Sequence, residues 1–249
     1  MKKIGIILAS SILTIYLALF FFLTPFQIIS KINDMQQTVV FSAEKSNGNL
    51  LTGYRFTNAS LASGEGRRLL FLDEMKLNIS LLRLLLGQIR MDIQSKEITA
   101  VLSAGFHGSM KGEANFKGIP LDSTAFIPQE NILFSALLSG RMIISGRNAD
   151  MEVKSDEMLW KRLSVSGFDL PLDIFENGKG ALSIEQSRII VRSLAFEGTK
   201  GYARLSGELS SGQQNLILEL FPHDWNDLLL IPLERYKISP GQYKMPLNL

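Results

Sequence analysis

Few side chains in this sequence could carry acid–base chemistry or bind a metal ion. The two histidines are His107, within Gly105–Gly108, and His223, which precedes Asp224 and Trp225. Because the chain has no cysteine, neither histidine can belong to a thiolate zinc site. Histidine in such a turn is usually a solvated residue, although a role as metal ligand or general base stays open at both positions. This inventory predicts no catalytic residue, no metal site and no cofactor.

Acidic pairs and glycine-rich segments are the next candidates for chemistry. Asp73–Glu74 and Asp156–Glu157 could each supply two carboxylates, but neighbours in sequence point apart on a helix or a strand. Gly64–Leu69 lacks the last glycine of a dinucleotide-binding fingerprint, and Gly178–Lys179 does not belong to a phosphate-binding P-loop. We interpret all of these as solvated surface or turns. The chain is therefore predicted not to be an enzyme, and a hydrolase on an unfamiliar β scaffold is the enzymatic alternative.

The charge of the chain argues against a polyanionic partner. The formal net charge is +2, which Lys2 and Lys3 alone account for, so the rest of the chain is neutral overall. Arg67–Arg68 and Lys161–Arg162 are isolated pairs, well short of the basic patch that nucleic-acid binding requires. We expect no nucleic-acid partner.

The N-terminal segment has the composition of a membrane anchor. No charged side chain occurs from Ile4 to Ser30, and the run that ends at Leu23 has about the 20 residues that a bilayer-spanning helix needs. Lys2 and Lys3 precede it, which predicts a cytoplasmic N-terminus and a main domain outside the cytoplasm. A cleaved signal peptide and a buried core helix are the alternatives. The predicted anchor residues are Ile4, Ile7, Leu8, Ile12, Leu13, Ile15, Leu17, Leu19, Phe20, Phe21, Phe22 and Leu23.

Beyond the anchor, hydrophobicity alternates with the two-residue period of half-buried strands. Ile89, Met91 and Ile93 alternate with charged or polar residues, and the same pattern recurs near positions 110–117, 149–154 and 202–209. Turn signals occur at 46–49, 176–180, 197–201 and 210–213, so we predict ten or more antiparallel strands joined mostly by hairpins. Three short helices are expected at Met75–Leu86, Ser155–Leu163 and Asp224–Leu230.

These patterns predict a mainly β protein with one N-terminal transmembrane helix, an antiparallel sheet domain and a few short helices. The boundaries are residues 1–24 for the cytoplasmic stub and transmembrane helix, 25–40 for a juxtamembrane segment in which Pro25 disfavours a continued helix, and 41–249 for the β-rich domain. Nothing in the sequence assigns a role to the segment after Pro240.

The order of these features resembles the type II secretion system protein N family. The likeness rests on Leu23–Phe26, on Gly53–Leu61 and on Leu77–Gly87. Gly108–Gly118 and Gly198–Gly207 are similar to the strand and turn repetition of that family and of the related AsmA-like envelope proteins. The resemblance implies a single-pass inner-membrane protein of a Gram-negative bacterium with a periplasmic β domain, which assists a secretion apparatus through protein–protein contacts.

A second function follows from the AsmA-like side of this resemblance. AsmA-like and β-taco folds curl a sheet so that one face forms an apolar groove, in which a lipid could bind or be transferred. Ile98, Leu102 and Phe106 could line such a groove, although the same side chains could pack an ordinary core. The expected partners are thus the membrane, proteins of the secretion apparatus and, in the alternative, a lipid.

Overall fold

The computed structural model describes residue 14 and residues 24–35, 39–63, 68–105, 109–122, 132–165, 168–169, 175–185, 188–210, 213–223 and 230–247. The chain divides into two compact units, Met1–Phe106 and His107–Leu249. Both units consist mainly of antiparallel strands, as the alternation of hydrophobicity predicts.

In the first unit, five strands follow one another in the sheet in chain order. They are β1 (Val39–Asn49), β2 (Gly53–Ser63), β3 (Arg68–Ile79), β4 (Gln88–Ser95) and β5 (Ile98–Gly105), each antiparallel to the next. Helix α1 (Pro25–Met35) precedes the sheet, and the short helix α2 (Leu81–Leu85) connects β3 to β4.

Helix α1 lies inside the predicted juxtamembrane segment 25–40, where the sequence pattern predicts no helix. Thr24 caps the helix, since its hydroxyl oxygen accepts the N–H of Gln27 at 3.4 Å and the Gln27 side chain accepts the Thr24 N–H at 3.0 Å. This reciprocal pair is a capping box, and Pro25 occupies the first helical position, where its missing N–H has no cost. Asn33 then ties the helix to β1 by bonds to the Phe41 N–H (2.7 Å) and C=O (3.0 Å).

The core of the first unit lies on one face of β1–β3. Its members are Ile28, Phe41, Tyr54, Phe56, Ala59, Leu72 and Leu77. Asn58 has a φ of 51°, in the left-handed region that asparagine tolerates, and this local irregularity lets Phe56 and Ala59 face the same side although three positions separate them. Ile28 adds the apolar side of α1 to this core.

The predicted helix Met75–Leu86 is wrong over its first half. Residues 75–79 belong to β3 and pair with β4, residues 75–77 also pair with β2, and only Leu81–Leu85 is helical, after Ser80. Met75, Leu77 and Ile79 in fact alternate with Lys76 and Asn78, so the strand period was present but hidden by the leucines that follow.

The second unit contains ten strands among its described residues. They are β6 (Lys111–Asp122), β7 (Ile132–Ser145), β8 (Asn148–Val165), β9 (Phe168–Asp169), β10 (Asn177–Glu185), β11 (Arg188–Gly198), β12 (Gly201–Ser210), β13 (Gln213–Pro222), β14 (Lys237–Ser239) and β15 (Gln242–Leu247). Their order in the sheet is β6-β7-β8-β10-β11-β12-β13-β15-β14, and β9 pairs with the end of β8. A 3-10 helix spans Ile231–Tyr236.

The prediction of a helix at Ser155–Leu163 is wrong, because this segment is the second half of β8. It pairs with β7, where Leu159 lies opposite Ser135 and Leu163 opposite Ile132. The Ser155 hydroxyl, expected to cap a helix, instead donates to the Glu157 carbonyl at 2.9 Å. Ladder hydrogen bonds from the preceding strand thus override the local capping signal.

The turn predictions succeed in the last two cases. Thr199–Lys200 joins β11 to β12, and Ser210 pairs with Gln213 across the β12–β13 connection. The other two are displaced, since 46–49 lies within β1 and β10 already begins at Asn177. The β1–β2 turn comes directly after, where the Asn49 side chain accepts the N–H groups of Leu51 (2.9 Å) and Thr52 (3.0 Å).

The core of the second unit is formed by its C-terminal strands. The fully buried side chains come mainly from β11–β13 and β15, with Phe175 and Leu233 beside them. Tyr243, Met245 and Leu247 alternate with exposed residues along β15, so the segment after Pro240 is an integral strand of the sheet.

The predicted anchor and most of the third predicted helix lie outside the part of the chain that the structure describes. All of the predicted anchor residues, from Ile4 to Leu23, lie outside the described residues, as do residues 224–229. Within the described ranges, no helix combines the length and the hydrophobicity that a bilayer crossing demands.

Candidate binding surface

Those residues singled out for chemistry that the structure describes do not come together. His107 lies outside the described residues, and His223 is exposed, with its backbone N–H donating to the Lys200 carbonyl at 2.8 Å. Glu74 forms ion pairs with Arg55 (3.2 Å) and Lys76 (3.6 Å) on the solvent side of the sheet. Across the described parts of the chain, no group of three or more His, Asp or Glu side chains is arranged to hold a metal ion.

In the second unit, the solvent-facing side of the sheet carries cross-strand ion pairs. Arg141 of β7 pairs with Glu113 of β6 at 2.9 Å, and Asp150 of β8 accepts bonds from Arg192 (2.7 Å) and Ser183 (2.8 Å). The hydrogen bonds from Arg141 and Asn115 hold the pKa of the Glu113 carboxyl below its ordinary value. Exposed pairs of this kind add little stability, but opposite charges on facing residues favour one register over its neighbours.

The other side of the same strands carries rows of apolar residues set by the register. Ala114 of β6, Met142 of β7, Met151 of β8 and Leu182 of β10 lie directly opposite one another. The adjacent rows are Gly112, Ile144, Ala149 and Ile184 on one side, and Phe116, Gly140, Val153 and Gly180 on the other. None of these twelve positions carries a charge or a side-chain hydrogen-bonding group.

Glycines in these rows and next to them, such as Gly140 and Gly178, make room for large side chains of neighbouring strands. A Cβ atom at Gly140 would lie 2.8 Å from Cζ of Phe116 and would also overlap the Glu152 carbonyl oxygen. A Cβ atom at Gly178 would lie 2.6 Å from the Met158 sulfur. The ends of the Phe116 and Met158 side chains therefore occupy space that only glycine leaves open.

The apolar side chains of β6–β8 are less buried than those of the C-terminal strands. Phe116, Met142, Ile144, Met151 and Val153, which we call the open apolar face, are all half-buried. None of them belongs to the buried cluster of the second unit, in which Leu218, Leu220 and Met245 are almost inaccessible to water. Half-buried methionines and branched aliphatic side chains are suited to receive an apolar partner.

The sequence-based groove prediction named different residues. Ile98 and Leu102 are half-buried on β5 of the first unit, where Ile98 packs against the core, and Phe106 lies outside the described residues. The open apolar face was missed because Leu137–Ile144 reads as a mixed apolar run with no clean period. The pairing of β7 with β6 and β8 shows that Met142 and Ile144 lie on the apolar side of the sheet, whereas Arg141 and Ile143 lie on the charged side.

Comparisons of the chain with family models, with curated proteins and with solved structures find no match.

Proposed function

We propose that this protein is a non-enzymatic component of a bacterial envelope, anchored by residues 4–23 in the inner membrane with its β units in the periplasm. It accompanies a type II secretion apparatus and assists assembly or export through protein–protein contacts. The observation that carries the proposal is the open apolar face of β6–β8, because half-buried apolar side chains that lie together outside the buried cluster are typical of a surface that another molecule covers.

The two sides of the sheet support different roles in this proposal. The ion pairs Arg141–Glu113 and Arg192–Asp150 give the solvent side a hydrated surface in which charges satisfy one another. The open apolar face has no charge, so a partner's apolar residues could cover it without desolvating an ion. The two sides therefore differ in charge, and the solvent side also carries the exposed side chain of Ile143.

Site-specific photo-crosslinking tests which side is used. Met142 and Ile143 are neighbours on β7 that point to opposite sides, and Ile143 is itself apolar and exposed, so it controls for non-specific adhesion. With benzoylphenylalanine at each position in turn, irradiated cells should give crosslinks to envelope proteins from position 142 and not from 143. Equal yields at the two positions, or none at 142, would contradict the proposal.

A lipid is the second candidate for the same face. The specific observation is that the rows contain only hydrocarbon side chains, thioethers and glycines, so an acyl chain would leave no polar group unpaired. An AsmA-like curled sheet would serve this function. Mass spectrometry of the adducts at position 142 decides between the candidates, since a lipid adduct adds a small discrete mass, whereas a protein adduct yields peptides of the partner.

The membrane orientation has its own test. A reporter enzyme that is active only outside the cytoplasm, fused after Leu249, should be active on a chain of full, uncleaved mass, because Lys2 and Lys3 favour a cytoplasmic N-terminus. An inactive reporter would overturn the orientation. An active reporter on a shortened chain would identify a cleaved signal peptide instead.

A further inference from the structure

Three leucines are strongly exposed at one end of the first unit. Leu51, in the β1–β2 turn, is 60% exposed, and Leu82 and Leu86, in and after α2, are 71% and 70% exposed. Leu50, the sequence neighbour of Leu51, is buried, whereas the three exposed leucines are not part of the core. We call Leu51, Leu82 and Leu86 the leucine tip.

The topology of the sheet places these leucines at one end. Tyr54, at the start of β2, pairs with Leu77, near the end of β3, so the β1–β2 turn and the segment that follows β3 lie at the same end of the sheet. Helix α2 follows β3 immediately and carries Arg83 between the leucines, with its guanidinium bonded to the Gln88 side chain at 3.0 Å.

Helix α1 points its N-terminus toward the same end. Asn33, in the last turn of α1, is bonded to Phe41, near the start of β1, so the helix runs back along the strand. Ile28, in the first half of the helix, packs in the core cluster on the face of β1–β3, so the helix lies over the sheet and its N-terminus is directed away from the start of β1. Phe26, in the first turn of the helix, is 76% exposed. The N-terminal end of α1, at Thr24 and Pro25, is therefore the end that is directed toward the leucine tip.

We propose that the leucine tip docks on the periplasmic leaflet of the membrane that holds residues 4–23. The inference rests on the membrane anchor of the proposed function. Exposed leucines next to an arginine suit a bilayer interface, since the leucines enter the acyl region while the guanidinium stays among the lipid phosphates. Docking holds the first unit upright on the bilayer instead of leaving it to pivot on its anchor.

The test uses the full chain in vesicles of phosphatidylethanolamine and phosphatidylglycerol. The chain has no cysteine, so Leu82→Cys provides a single attachment point for an environment-sensitive fluorophore. Lys96→Cys, in the exposed turn at the far end of β4, is the matched control, about 26 Å along the strand from Gln88. We expect the emission at position 82 to shift to shorter wavelength and to be quenched by lipids with a doxyl group on the acyl chain, while the emission at position 96 shows neither change.

Each other outcome overturns the inference. If the emission of the fluorophore at position 82 behaves like that at position 96, the leucine tip lies in water. If the emission shifts to shorter wavelength without quenching by the doxyl lipids, protein such as a second copy of the chain covers the leucine tip. A Leu51→Asp/Leu86→Asp variant labelled at position 82 should lose most of the quenching, and unchanged quenching would also count against docking. Carbonate washing tests the anchor separately, because a chain that leaves the vesicles disproves the anchor whatever the fluorophore reports.

Discussion

Replacing Phe56 with alanine is expected to lower the free energy of unfolding of the first unit by about 3–5 kcal/mol. The Phe56 ring is completely buried, and it meets the Phe41 ring edge to face at 5.6 Å between centroids. The substitution removes this contact and leaves a cavity between the sheet and α1, which the surrounding backbone can fill only in part.

Hydrogen–deuterium exchange is the suitable measurement for this variant, because both tryptophans of the chain, Trp160 and Trp225, lie in the second unit. The backbone amides of β1–β3 should exchange about a hundredfold faster or more, since each 1.4 kcal/mol of lost stability corresponds to a factor of ten. Phe26→Ala, at an exposed position in the same unit, is the control and should leave these peptides unchanged in detergent. A similar effect of both variants would contradict the core assignment.

Replacing Met245 with lysine is expected to prevent stable folding of the second unit. The reverse change at the preceding position, Lys244→Met, should alter the free energy of unfolding by less than about 1 kcal/mol. Met245 is completely buried between β13 and the 3-10 helix region, so a lysine there must bury its charge or lose its proton. Lys244 is about half exposed, and its ammonium lies 3.9 Å from Glu219.

Urea titration followed by tryptophan fluorescence compares these two variants. The Met245→Lys chain should show no cooperative transition or a midpoint shifted far below that of the parent, and Lys244→Met should keep the parent midpoint. Equal responses of the two neighbours would disprove the alternation along β15. This experiment also tests whether the segment after Pro240, to which the sequence assigns no role, is needed for the fold.

Several elements of the fold were predictable because the signal lies in neighbouring residues. The alternation of Ile89, Met91 and Ile93 identified β4, and the same period identified β6, the start of β8 and β12. The capping box of Thr24 and Gln27 was equally local and would have predicted α1, had Pro25 been read as a helix start instead of a helix stop.

Other elements depended on pairing partners in the neighbouring strands of the sheet. Ser155–Leu163 has the acids and the cap of a helix start, yet β7 pairs along it and makes it a strand. Met75–Ile79 is likewise held extended by β2 and β4 on its two sides. A segment with backbone partners on a neighbouring strand gains ladder hydrogen bonds that weak local propensities cannot match.

By itself, the sequence determined the strand-rich class, the lack of cysteine chemistry and the apolar, uncharged N-terminal segment, because composition and local period suffice for these properties. The tertiary structure decided which apolar residues form a core and which form the open apolar face and the leucine tip. Leu218 and Met151 both lie on strands that are paired on two sides, but only Leu218 belongs to the buried cluster that contains Leu233, and Met151 is half-buried. Burial is a property of the assembled sheet, and no single strand contains it.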